Sequence, residues 1–279
     1  MKKFQIIVDS ASDIKSNYIK NKDIGFRVVP LTITIGEENY VDDDNINVDE
    51  MLDALHKYKG KTSTACPAPE AFSKYYTEAQ NTFVVTLSSK LSGTYNVACM
   101  GAKELENNPD YHIHIIDSKL VSGAEELIVD KLVELIESGL EYTEIVTEID
   151  KFRDDRQLFF TLAKFDNLIA NGRMSKLVAL IAKTLIIRPV CKGVEGEIKV
   201  IEKVIGVNNA FKKMANFISK AVQTFKDKVL IINKCKADAE CEQLVNLIKE
   251  NCDFKEIRVK ETKGLCSFYA LEKGLIVSF

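Results

Sequence analysis

Histidine is scarce in this chain. His56, His112 and His114 are the only three among 279 residues. A hydrolase or transferase that activates a serine or thiol through imidazole therefore has few residues to draw on. Two of the three flank Ile113 in "YHIHIID", where strand alternation sets both on one face, and a partly exposed strand position accounts for them. Cysteine is present but unpatterned. The seven (Cys66, Cys99, Cys191, Cys235, Cys241, Cys252 and Cys266) form no C-x-x-C, and no histidine lies near Cys235 or Cys241. That spacing excludes a zinc-ribbon or zinc-finger pattern and reads as reduced, mostly buried thiols. Long apolar runs are missing as well. Nothing approaches the roughly 20 residues of a membrane span, so stable membrane insertion is not expected. Positive charge is neither in excess nor blocked: the net charge is −3, with 38 lysines and arginines spread along the chain. No basic field is there to hold nucleic acid. The start, "MKKFQIIVDSASD", carries Asp9 where a secretory leader would be apolar, and a cytoplasmic location is expected.

Several catalytic signatures are absent too. There is no G-x-S-x-G, H-E-x-x-H or G-x-G-x-x-G. "GKTS" at 60–63 lacks the P-loop's first glycine, Leu55 standing in its place, and it follows a helix rather than a strand. Asp42, Asp43 and Asp44 could together attract a divalent cation, but a solvated acidic loop explains them more simply. Asp9 and Asp13 could form an acid–base pair, although Asp13 within "SASD" reads better as a cap or turn residue. No metal site, cofactor site or catalytic residue is assigned.

What the sequence does contain is strand–helix alternation. "FQIIVDS", "FRVVPLTITI", "TFVVTL" and "HIHIID" read as strands, with Pro30 placing an edge or bend in the second. Helices follow over "VDEMLDALHKY", capped by Asn47 or Asp49, over "SGTYNVACMGAKELEN", and over "SGAEELIVDKLVELIESG", which Gly139 stops. "TSTACPAPEAF" reads as a loop leading into a helix that Pro69 begins. This is an α/β chain whose first part forms a Rossmann-like parallel sheet. Beyond about residue 143 the pattern changes. An amphipathic helix, a hairpin with Gly193 and Gly196 in its turn, and further helices and strands through "GLIVSF" suggest an α+β unit. Two domains are expected, 1–145 and 146–279, packed across a ligand cleft.

Parallel sheets bind ligands at the carboxyl ends of their strands. There the chain places "DSASD", "SSKLSGT" and "DSKLVSG", a convergence of hydroxyls and acids. In "SSKLSGT", Gly93 permits close backbone approach, and Ser92 and Thr94 set hydroxyls beside the free amides of a helix start, an arrangement suited to an anion. Capping alone would explain one hydroxyl but not the cluster. In "NGRMSKLVALIAKTLIIRPV", Leu177, Leu180, Ile181 and Leu185 recur at helical spacing and could line an apolar pocket or simply form core.

Taken together and in order, "IVDSASDI", "VVPLTI", "TACPAPEAF", "LSSKLSGTYNVA", "IDSKLVSG", "NGRMSK" leading to "IIRPV", and "GLIVSF" resemble the DegV family of bacterial fatty-acid-binding proteins over essentially the whole chain. The resemblance implies two domains with one palmitate- or oleate-like fatty acid buried between them, and no chemistry by the protein itself. It implies a carboxylate held by Thr64 and by Ser92 of the S-G-T motif, Gly93 and Thr94 completing that motif, with Thr62 a rival for the threonine position. Some members present the acyl group to a separate fatty acid kinase for phospholipid synthesis. Arg173 would then serve partner docking or anion stabilisation at the mouth. A monomer is expected. Two departures stand out. The family's closing His-x-Gly-Pro-Gly is replaced by "YALEK" at 269–273, and its Gly-Gln-Gly after Ser122–Gly123 by Ala-Glu-Glu. The rival readings are an acyl- or phosphoryl-transfer enzyme using Ser92 and a regulatory module with a structural lipid.

Overall fold

The computed structural model describes residues 1–174 and 187–279. The expected apolar helical run through Leu177, Leu180, Ile181 and Leu185 lies outside the described residues. Four strands, β1 (Lys2–Asp9), β2 (Ile24–Val29), β6 (Ala79–Thr86) and β7 (His112–Asp117), form an all-parallel sheet in the order β2-β1-β6-β7. The central strands are apolar on both faces because both faces are covered. Ile6, Val8, Phe83 and Val85 meet helices Gly123–Glu137 and Tyr142–Asp154 through Ile128, Leu132, Ile145 and Ile149. Ile7 and Val84 face the other way, onto Phe72, Tyr76 and Ala98.

Pro30 divides the second strand region. β2 ends at Val29, and after Pro30 and Leu31 the chain enters a different sheet as β3 (Thr32–Ile35). β3 pairs antiparallel with β4 (Glu38–Val41) and with β5 (Thr62–Ala65). The start of the expected 62–72 loop is therefore a strand. Its pairing partner lies some thirty residues away (Ile33 opposite Thr64), so local sequence does not reveal it. Pro69 opens the helix Pro69–Ser73, as its preset backbone angle favours.

The second unit is a six-stranded sheet in the order β10-β9-β8-β13-β11-β12, where β8 is Leu158–Thr161, β9 Ile187–Val194, β10 Glu197–Ile205, β11 Val229–Cys235, β12 Glu256–Glu261 and β13 Gly274–Ser278. Only β11 and β12 pair parallel within it; the other described pairs are antiparallel. Helices Val207–Ser219 and Asp238–Lys249 cover its outer face with Phe211, Met214, Leu244 and Ile248. Its inner face presents Leu158, Phe160 and Ile276 to Leu31, Leu87 and Leu120 of the first unit. The expected hairpin is present with one correction: Gly193 is not in the turn. It lies within β9, where an added Cβ would come 2.5 Å from Leu120 Cδ2, while Gly196 takes the turn at φ +83°. Gly193 keeps the inner face open to the first unit.

Asp42 is not part of a solvated loop. It is fully buried and accepts from the amides of Gly264 (2.9 Å) and Leu265 (3.1 Å), capping a helix, Gly264–Ala270, that the sequence reading does not anticipate. A helix start leaves orphan amides, and a carboxylate beside them answers both their hydrogen bonds and their partial positive charge. Asp42→Ala is expected to lower the free energy of unfolding by about 2 kcal/mol, measured by urea denaturation. Asp43→Ala, at a half-buried position whose one such bond is a local, exposed one from the Asn45 amide (2.8 Å), should cost far less.

Candidate functional site

Between the carboxyl-end loops of the parallel sheet and the inner face of the six-stranded sheet lies a cavity of about 850 Å³ of atom-free space, its open mouth included. The wall is mostly aliphatic, with Leu31, Leu87 and Leu120 on one side and Leu158, Phe160 and Ile276 on the other. Its polar lining residues include Thr64, Ser92, Arg173 and Tyr269.

These groups converge from four separate segments. β5 delivers Thr64, and the residues just beyond it bring Cys66 Sγ to within 3.5 Å of where a Cβ on Gly93 would stand. The S-G-T loop and the end of β5 therefore abut. Ser92 Oγ lies 2.9 Å from Thr94 Oγ1 and accepts from the Thr94 amide at 3.4 Å. Arg173 reaches back to this loop, donating from Nε to the Leu91 carbonyl (3.1 Å) and from a terminal nitrogen to the Asn171 carbonyl (2.6 Å). From the C-terminal helix, Tyr269 sets its phenol 2.8 Å from Thr64 Oγ1.

Not every sequence candidate joins them. Thr62 lies two residues before Thr64 on the same strand face and is not among the residues around the cavity. Gly93 is exposed at the start of helix Thr94–Ala102, and Thr94 is buried against Ser92 rather than facing the cavity. The wider convergence of hydroxyls is largely a backbone-satisfying network. Ser10 accepts from the Leu31 amide, Ser12 donates to the Asp9 carbonyl, Ser88 donates to the Gly196 carbonyl, Ser89 bonds Asp117, and Ser118 donates to the Leu120 carbonyl. Ser12 and Ser118 close their own turns, while Ser10, Ser88 and Ser89 hold one loop against another, which leaves Ser92 as the serine of that cluster that lines the cavity. Tyr269 is missed by sequence reasoning, since its only sequence signal is a tyrosine where a histidine would match the family pattern.

Behind the cavity lies a buried group of acids. Asp9 accepts from the amides of Ala11 (2.9 Å) and Leu87 (2.8 Å), joining the ends of β1 and β6. Asp13, at φ +59°, accepts from Ser122 Oγ (2.6 Å), Asn233 Nδ2 (3.1 Å) and the Lys263 amide (2.7 Å). Burial pushes both carboxyls up to about 7, against the pull of these donors. Glu125, fully buried and without a hydrogen-bond partner among the described residues, is pushed well above the carboxylate range by burial and by Asp9 and Asp13.

Fold and site define an α/β protein of two sheet units that encloses a mainly apolar cavity fringed by hydroxyls. The DegV family model matches residues 3–277, and the chain belongs to the DegV family. A DegV domain-containing protein of Streptococcus gordonii is 36% identical over 278 residues, covering 99% of this chain and 98% of that one. Among solved structures, the Streptococcus pneumoniae Fatty Acid Kinase (Fak) B3 protein loaded with linoleic acid is 33% identical, with a TM-score of 0.94 and 99% of each chain covered. A DegV family protein from Eubacterium eligens loaded with heptadecanoic acid is 32% identical, with a TM-score of 0.90 over 99% of this chain and 98% of that one.

The raised carboxyls carry a pH signature. A carboxyl whose folded-state pKa moves from 3.8 to about 7 contributes stability that is fully present below 3.8 and is lost as pH rises through 7. Between pH 5.5 and pH 8 the urea midpoint should therefore fall, and Asp13→Asn should flatten that slope. A slope unchanged by the substitution would show that Asp13 titrates normally.

Proposed function

We propose that the cavity receives the tail of a long-chain fatty acid and that Ser92 and Thr64 hold its carboxylate at the hydroxyl-fringed end. The observation that carries this reading is the pairing of an aliphatic wall with hydroxyls brought together from a strand, β5, and from the S-G-T loop. Each buried CH₂ contributes about 0.8 kcal/mol, so a sixteen-carbon tail supplies roughly 10 kcal/mol before ordering costs. The head group then needs little net affinity, but its carboxylate must not be left unpaired. Neutral hydroxyls meet that need without a buried ion pair. The fatty-acid-loaded relatives support the same reading.

The protein acts as a carrier rather than an enzyme. Ser92 has no imidazole at hand to activate it: His56 pairs with Glu272 at 3.1 Å, His114 with Asp150 at 3.2 Å, and no histidine is among the described residues around the cavity. A separate fatty acid kinase is the proposed recipient of the bound acid, and Arg173, beside the S-G-T loop, is the residue proposed to meet that partner or the head group. The carrier is a cytoplasmic monomer in this reading; no helix among the described residues is long and apolar enough to cross a membrane. The domain division belongs to the same proposal. A cut at 145/146 falls inside helix Tyr142–Asp154, whose Ile145 and Ile149 pack on the parallel sheet, so we keep that helix with the N-terminal domain.

Mass spectrometry of lipid extracted from the purified protein is expected to find a long-chain fatty acid. Absence of lipid together with no uptake of oleate or palmitate would overturn the reading. Ser92→Ala combined with Thr64→Ala is expected to weaken oleate binding at least tenfold, on the order of two lost hydrogen bonds to a charged group. Unchanged affinity would reject the head-group assignment alone.

A further inference from the structure

As a carboxylate, Glu125 would be left without a donor. The residue is fully buried, and neither of its carboxyl oxygens accepts a hydrogen bond from any described residue. It stands in the first turn of the helix Gly123–Glu137, within the Ala-Glu-Glu that replaces the family's Gly-Gln-Gly. A helix start favours negative charge modestly, whereas burying that charge without donors costs far more. The Ser122 amide beside it does not serve, because it donates to the Ala11 carbonyl at 2.9 Å. What Glu125 does face, within hydrogen-bond reach, is the side chain of Asp9. Two carboxylates have no proton to bond through, but a carboxylic acid against a carboxylate has one.

Asp9 is the acceptor of the pair. Its Oδ1 takes the Ala11 amide (2.9 Å) and its Oδ2 the Leu87 amide (2.8 Å), and both bonds favour the ionised form. Glu125 has no such donors and keeps the proton. Burial first, then Asp9, Asp13 and Asp117, hold its ionisation well above the carboxylate range. The charges that face the pair share one sign. Asp42, already bonded by the Gly264 and Leu265 amides, adds to them at Asp9. Lys263 is engaged elsewhere: its ammonium donates to the Ile14 carbonyl (3.2 Å) and lies 3.8 Å from Asp44. Asn233 gives its Nδ2 to Asp13 at 3.1 Å. The Cys266 thiol, held protonated by burial and by the same acids, donates to the Ala11 carbonyl at 3.2 Å.

We propose that Glu125 and Asp9 share one proton, donated by Glu125, and that this bond is a pH-sensitive catch joining the ends of β1 and β6 to the helix Gly123–Glu137 behind the cavity. The catch bears on the cavity wall, because the Leu87 amide that Asp9 holds belongs to a residue lining it. Ionising Glu125 removes the bond and leaves two like charges together in a dry site. A carboxyl raised by folding contributes stability that is complete below its ordinary range and is lost as pH climbs through the folded value. The catch therefore holds in acid and at neutrality and opens toward alkaline pH.

The test compares wild type with Glu125→Gln in the full chain, by urea denaturation from pH 5 to pH 9. The amide keeps a donor to Asp9 and cannot ionise. At pH 5 the two proteins should unfold at nearly the same urea concentration. At pH 9 the folding equilibrium constant of the variant is expected to exceed that of wild type by at least about tenfold. Infrared spectra give a second readout: at pH 7.5 wild type should show a protonated-carboxyl stretch that the variant lacks. Parallel stability profiles would overturn the shared proton, as would identical carboxyl bands in the two proteins. A variant that does not fold would overturn it too, because the substitution keeps the donor and removes only the capacity to ionise.

Discussion

The carboxylate of Asp13 is the contact on which the arrangement of the molecule depends. It sits at a left-handed turn just after β1 and accepts hydrogen bonds from Ser122 at the start of a first-unit helix, from Asn233 on β11, and from the backbone of Lys263 before the C-terminal helix. One buried group thus ties two loops of the parallel sheet to two elements of the six-stranded sheet. Asp42 makes the same kind of tie a short distance away, capping that C-terminal helix. A buried carboxylate left without its donors costs several kcal/mol, so these bonds admit one relative placement of the two units.

The cavity is a consequence of that placement. Leu87 and Leu120 belong to loops of the parallel sheet, Phe160 and Ile276 to strands of the other, and neither set encloses anything alone. Gly193 lets β9 pass against Leu120, and Gly196 lets the hairpin turn reach Ser88, whose hydroxyl bonds its carbonyl. The polar fringe is assembled the same way, with Thr64 from β5, Ser92 from the loop after β6 and Tyr269 from the last helix. A head group proposed to bind there would meet donors that only the closed arrangement aligns.

Much of this was legible in the sequence where the signal is local. Apolar runs such as "FQIIVD" and "TFVVTL" mark strands buried on both faces. Asn47 caps its helix as expected, through a 3.2 Å bond from the Glu50 amide, and Pro69 starts another. What escaped is non-local. The strand Thr62–Ala65 exists because β3 pairs with it, and a run of threonine, serine and alanine ahead of two prolines reads as a loop when considered alone. Asp42 looked like one of three solvated acids because nothing near it in sequence shows the helix start it caps. The hydroxyl-rich loops looked uniformly like an anion site. Most of their side chains hold loop to loop, a division that depends on which backbone groups the fold leaves unpaired.

By itself the sequence determined the α/β class, the order and type of most elements, and membership of the DegV family through an ordered series of short motifs. Only the tertiary structure decided that Tyr269 faces Thr64, that Thr62 and Thr94 stand back from the cavity, and that buried carboxylates join the two units. The reason is physical. Strand and helix patterning follows from the periodicity of neighbouring residues, whereas the pairing of a buried polar group is set by whatever distant donor the folded chain brings within about 3 Å of it.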